Sequence, residues 1–211
     1  MKIVFYQLCL QYSQNLQLID SLWGEIESRY SEPHRHYHTL EHLKHLYSLL
    51  ILFHKNINWD TFLMALFYHD LVYNIPSQTN EKKSALIAEK RMISLECPKT
   101  MIENVKNIIL ATQDHQSSDR EILPFLDADL AILGSKPKEY QKYLKKIRQE
   151  YKTLSDKVYI AGRTRFLNQI LEKNQIFQHL LFYQKYELQA KENLTRELYN
   201  YRNKKGKTYA K

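Results

Sequence analysis

Phe62-Leu63-Met64-Ala65-Leu66-Phe67-Tyr68-His69-Asp70 is the stretch on which the reading of this chain turns. The run from Phe62 to Tyr68 is apolar nearly all round, the pattern of a helix placed centrally among others. Asp60 is a plausible N-cap, so the spacing predicts a helix from Thr61 to about Asp70. That helix stops on a histidine and an aspartate, an imidazole nitrogen and a carboxylate oxygen where the chain should otherwise stay apolar. Burying an unpaired carboxylate is costly, so a metal ion or a hydrogen-bond partner has to meet it there. Suitable groups flank the stretch. His34, His36, His38, His42 and His45 put five of the nine histidines within twelve residues upstream, and Asp127 and Asp129 lie downstream.

Outward from that segment the chain reads as helices. Leu8 to Tyr30 forms an opening helix, and Leu40 to Phe53 a second with Leu43, Leu46, Tyr47 and Leu50 on one face. Asn80 to Leu95 follows the central helix. Pro98 suits the first turn of the next, where Met101, Ile102, Val105, Ile108, Ile109 and Thr112 trace one stripe. Pro124 opens a short helix that Gly134 closes, Pro137 opens another reaching about Lys152, Ser155 caps a further one, and Phe182 to Tyr201 is the last. No period-two strand stands out, and four glycines and five prolines are few for 211 residues. The expected fold is all-α, a helical bundle with the metal site in its core. With no repeat and no low-complexity linker, 1–211 reads as a single domain: a metal-binding core at about 30–135, C-terminal helices at about 137–201 and a basic tail at 202–211.

Charge and cysteines narrow the partners. The net charge of +8 suits a phosphate-bearing small molecule as well as a nucleic acid. Much of the excess lies in Lys142, Lys145, Lys146, Arg148 and the tail Lys204-Lys205-Gly206-Lys207. A solvated helix face accounts for it, and with no recognition module legible a nucleic acid is not the expected partner. Cys9 and Cys97 make no disulfide framework, which points to a reducing cytoplasm. No run of eighteen apolar residues and no ordinary signal peptide argue against a membrane. Beyond Gln149, the apolar positions Val158, Phe166, Leu167, Ile170 and Phe177 pack on the core, on the pocket or on a second copy in a homodimer.

The histidines fit the helical map. At about 100° per residue, His38, His42 and His45 fall in one stripe, and the i, i+4 pair can aim both rings at one point. Set against His69-Asp70 and Asp129, one histidine of this stripe completes a His2Asp2 donor set of four groups that suits Zn, Mn, Fe, Ni or Co. His38-x-x-Glu41-His42 also fits the inverse zincin pattern, in which the glutamate is the base of a zinc metalloprotease. That alternative leaves His69-Asp70 and Asp129 unexplained, and Glu41, the neighbour of His42, would point about 100° from it and about 60° from His38 on an ideal helix, away from the histidine stripe.

Tyr37-His38-x-x-x-His42, His69-Asp70 and Asp129-Leu130 together resemble the pattern of the HD-domain metal-dependent phosphohydrolases. The first element is similar to the Tyr-His-Asn-x-x-His signature of cyclic-nucleotide phosphodiesterases. Asn80-Glu81-x-x-Ser84-Ala85, Asp127 to Gly134 and Ala190-x-x-Asn193-Leu194 extend the likeness to a compact bacterial group of predicted HD-superfamily phosphohydrolases. The resemblance implies an HD-like helical bundle that hydrolyses a phosphate ester of a nucleotide or another small phosphorylated molecule. It implies His42, His69, Asp70 and Asp129 as ligands of one or two divalent ions (Mn, Fe, Ni, Co, Zn or Mg). It also implies His38 as the general acid and Asp70 as the bridging carboxylate. Asp127 is the rival of Asp129. Glu81 is a catalytic candidate beside His38 and Asp70, through a second ion or its water, His115 is a candidate for a second ion, and Arg35, Lys82, Arg148 and Arg163 are candidates for the non-reacting phosphates. A non-catalytic metal- or nucleotide-binding protein of the same fold is the other reading.

Overall fold

Asn15 divides the opening helix in two. Its side chain accepts the Leu18 N–H at 3.0 Å and caps a new helix, so the apolar periodicity read as one element becomes α1 (Lys2–Cys9) and α2 (Leu16–Tyr30). The computed structural model describes residues 1–55, 57–75 and 77–208, with side chains through residue 203. Most of the tail expected at 202–211 therefore lies outside the described side chains. The fold is all-α, and no strand occurs among the described residues. No described helix is long and apolar enough to cross a membrane.

Contacts divide the chain into two compact units, Met1–Ala128 and Asp129–Lys211. In the first unit α3 (Leu40–Leu50) runs into a 3-10 turn at Ile51–Phe53, and α4 (Trp59–Tyr68) follows. Asn58 rather than Asp60 caps α4, accepting the Thr61 N–H at 3.2 Å. Asp60 sits two residues further in, within the first turn, and accepts the Tyr12 hydroxyl at 2.8 Å. Thr61 through Tyr68 are all buried, because α1, α3, α5 (Asn80–Ser94) and α6 (Lys99–Ala111) all pack on α4. Phe5 meets Phe67 edge-on with ring centres 5.0 Å apart, and Trp23 completes the cluster. Cys9 and Cys97 are free and buried, and burial pushes each thiol up to about 12. α7 (Leu123–Leu130) contains Asp127 and Asp129.

The second unit comprises a 3-10 segment (Ala131–Gly134), α8 (Pro137–Glu150), α9 (Asp156–Leu171) and α10 (Leu180–Thr208). Ser155 caps α9 as expected, accepting the Val158 N–H. α10 lies directly against the 3-10 segment. Asn193 on α10 donates from Nδ2 to the carbonyls of Leu133 and Ser135 at 2.9 and 2.8 Å. Gly134 permits that approach, since a Cβ there would stand 2.5 Å from the Tyr186 carbonyl oxygen. Gly134→Ala is therefore expected to destabilise the protein by about 1–3 kcal/mol, the usual cost of forcing atoms into a packed contact. A thermal melt that matches wild type would contradict this.

The core of the second unit is partly ionic. Arg163 donates to both oxygens of Glu197 at 2.9 and 3.1 Å and to the Tyr143 hydroxyl at 3.2 Å. The Tyr140 hydroxyl donates to Glu197 Oε2 at 2.5 Å. Burial pushes the Tyr140 phenol well above its ordinary value, so it stays a donor.

Candidate metal centre

α4 ends where its side chains stop being apolar. The N–H of His69, the C-cap, still bonds the Ala65 carbonyl at 2.8 Å, which holds the residue in helical geometry with its ring turned inward. The ring's Nδ1 lies 3.0 Å from the Leu66 carbonyl oxygen. A carbonyl can only accept, so the proton sits on Nδ1, and a neutral His69 presents the Nε2 lone pair on its other side. An outer hydrogen bond of this kind is how metal-ligating histidines are oriented. Phe125 of α7 packs edge-on against the ring, with centres 5.7 Å apart, and Phe62 backs Phe125.

Three ligand atoms converge with this nitrogen. His42, on the buried face of α3, places Nε2 3.2 Å from His69 Nε2, and the two residues are 4% and 1% exposed. Asp70 Oδ2 lies 3.2 Å from His69 Nε2 and 3.7 Å from His42 Nε2. His42, His69 and Asp129 each offer one ligand atom, all within 4.8 Å of one another, and this group could hold a metal ion. The donor set passes a geometric test. Two nitrogens bound at about 2.05 Å to a tetrahedral ion stand roughly 3.3 Å apart, against 3.2 Å here. A carboxylate oxygen facing an imidazole lone pair at 3.2 Å is repulsive unless a proton or a cation lies between them. Mixed nitrogen and oxygen donors suit a first-row divalent ion.

The other sequence candidates fall in several places. His38 lies in the segment leading into α3, half-buried, its ring 5.7 Å from that of His42 and 4.2 Å from that of Tyr73. His45, expected on the same stripe, is exposed. Asp127 is buried in α7, but Asp129 supplies the ligand atom to the group. Glu81 is half-buried in the first turn of α5 and Lys82 beside it is exposed. His115, expected at the end of a helix, stands four residues past α6 with φ 53°, and neither it nor Glu81 belongs to the group. Glu41 is exposed on α3 and pairs with Lys44 at 2.5 Å.

The arginines do other work. Arg35 is buried, its side chain 0% exposed. Its guanidinium donates to the carbonyls of Asp70 at 2.7 Å, Leu71 at 2.9 Å and His38 at 3.4 Å, and its Nε to Glu32 at 3.0 Å. The Tyr30 and Tyr73 rings lie against it, at 5.0 and 5.4 Å. Arg148 and Arg163 belong to the second unit, where Arg148 pairs with Asp156 and Arg163 with Glu197.

Two residues of the stretch Asn80-Glu81-x-x-Ser84-Ala85 fix the chain after Asp70. Ser84 Oγ accepts the Val72 N–H at 3.0 Å, and Asn80 exchanges two hydrogen bonds with the Asn74 backbone at 3.1 and 3.0 Å. Their legible signal is polar side chains four apart on the α5 face that also buries Ala85 and Ala88. No family model, curated protein or solved structure matches this chain.

Proposed function

We propose that this chain is an HD-type metal-dependent phosphohydrolase that cleaves a phosphate ester of a small molecule, a nucleotide being the leading class. The observation that carries the reading is the buried facing of the His42 and His69 Nε2 atoms at 3.2 Å beside Asp70 and Asp129. His42, His69 and Asp129 would hold a divalent cation, with Asp70 adding a carboxylate oxygen. A bound cation supplies Lewis acidity that makes water nucleophilic near neutral pH and offsets charge on the phosphoryl oxygens. His38 holds a proton for the leaving oxygen, a role typically worth about 10²–10⁴-fold in rate. Tyr73 packs against the His38 ring and orients it. Arg35 orients the ligands and does not bind phosphate, because its donors face backbone carbonyls and Glu32. The protease alternative is disfavoured by Glu41, exposed and turned to Lys44. Two reduced cysteines suit a cytoplasmic setting.

Elemental analysis tests the centre first. Protein purified without added metal is expected to carry near-stoichiometric Mn, Fe, Ni, Co or Zn, lost in a folded His69→Ala/Asp70→Ala variant. With that metal restored, a panel of phosphomonoesters and nucleotides should reveal turnover, and His38→Ala should lose about 10²–10⁴-fold of it while retaining metal. Metal absent from wild type even after reconstitution overturns the proposal. Metal and nucleotide bound without turnover would make the chain a non-catalytic binder.

A further inference from the structure

The basic excess of this chain is concentrated in one part of it. Asp129–Lys211 carries nineteen lysines and arginines against eight acidic residues, whereas Met1–Ala128 carries twelve against fifteen. Burial sharpens the imbalance. Glu150, Glu187 and Glu197 are buried. Glu197 is engaged by Arg163, and Glu187 by the N–H groups of Ile176 and Phe177. Among the described residues from 129 to 203, eleven lysines and arginines are exposed against four acidic residues, Glu139, Asp156, Glu172 and Glu192.

The exposed charge is ordered on α8. Lys138, Lys142, Lys145 and Lys146 recur at i, i+4, i+7 and i+8, which gathers them within roughly 100° of the helix circumference. All four are exposed, and the opposite face buries Tyr140, Tyr143, Ile147 and Glu150. Lys142 alone of the four has an ion pair among the described residues, with Glu139 at 2.9 Å.

Helix stability does not account for this arrangement. Lys138–Lys142 and Lys142–Lys146 are like-charge pairs at i, i+4, and such pairs destabilise a helix. Lys136 at the N-cap and Lys138 in the first turn also meet the positive end of the helix dipole, which disfavours cations. A bound polyanion relieves both penalties. Lysines one turn apart, about 6 Å along the axis, suit a row of regularly spaced phosphates better than a single one. A membrane surface is the weaker match, because an interfacial helix draws much of its binding from an inserted apolar face and that of α8 is buried, with Tyr140 and Tyr143 bonded to Glu197 and Arg163.

We infer that the second unit binds the phosphodiester backbone of a polynucleotide along the lysine face of α8. Backbone binding reads no sequence, so it needs no recognition module. The inference goes beyond the phosphohydrolase reading and does not depend on it.

Fluorescence anisotropy of the full chain tests it, using a labelled 20-nucleotide single-stranded RNA, the matching DNA strand and its duplex at several salt concentrations. Expected is binding that weakens linearly in log–log form as salt rises. Lys138→Gln/Lys142→Gln/Lys145→Gln/Lys146→Gln should weaken it by about 10-fold or more and flatten the salt slope. Circular dichroism should show the variant still folded, and Lys83→Gln/Lys90→Gln on α5 should bind like wild type. The three probes distinguish RNA from DNA and single strands from duplex. No binding at low salt, equal loss in the α5 variant, or capture by phosphatidylserine vesicles but not by any polynucleotide would overturn the inference.

Discussion

Arg35→Met is expected to lower stability by about 3 kcal/mol and to weaken metal binding by about 10–100-fold, although Arg35 is not itself a ligand. Three carbonyls on two separate segments, those of His38, Asp70 and Leu71, take their hydrogen bonds from this one guanidinium. Removing a donor from a buried carbonyl costs about 1–3 kcal/mol, and some relaxation toward water offsets part of the sum. Glu32 would also lose the charge that faces it. The effect on metal follows from position, since the Asp70 and His38 carbonyls anchor the backbone on either side of the ligand group. Arg35→Lys should recover little, because a lysine ammonium cannot reproduce a planar fork of donors. Urea unfolding together with a metal titration would read both effects. Wild-type affinity in a destabilised Arg35→Met would show that the guanidinium supports the fold without orienting the ligands.

Glu197→Ala should be still more damaging to stability, by about 3–5 kcal/mol, because it strands a buried cation. Arg163 directs two guanidinium nitrogens at this carboxylate, and Tyr140 donates to it as well. The double variant Arg163→Met/Glu197→Leu is expected to regain part of the loss, because an apolar pair replaces a buried ion pair at little cost while the Tyr140 hydroxyl loses its Glu197 acceptor. Equal destabilisation in the single and double variants, measured by denaturant unfolding, would mean that packing and not charge holds this core. Metal content should be unchanged in the double variant.

The central helix was legible because a run apolar on every side has only one place to go, and α4 is buried from Thr61 to Tyr68. Its start was less so. Asn58 and Asp60 are equally good caps by residue type, and the choice rests on the Tyr12 hydroxyl, 48 positions away from Asp60. The opening helix looked continuous because hydrophobic spacing survives the break at Asn15, whose capping bond is a local event that periodicity does not register. Residue type singled out His69 and a stripe of histidines, but the choice of His42 within that stripe and of Asp129 over Asp127 came from the resemblance, and these are the three that meet in the group that could hold an ion. His45 shares the stripe but lies past the edge of the buried face of α3. Arg35 was legible only as a charge. Its acceptors are backbone carbonyls, some of them 35 positions away, and a carbonyl has no residue identity to read.

The bonds that Ser84 and Asn80 make to Val72 and Asn74 bear on kinetics as well as geometry. A ligand carried on a loosely held loop exchanges its ion as fast as the loop fluctuates. Here the segment after Asp70 is stitched to the first turns of α5 and clamped by Arg35, so freeing it means opening part of the core with it. Opening of that size is a rare sub-global event. An ion held by this group would leave slowly, at the tempo of local unfolding and not of side-chain motion, and a chelator would strip it in a time set by the protein and not by its own concentration.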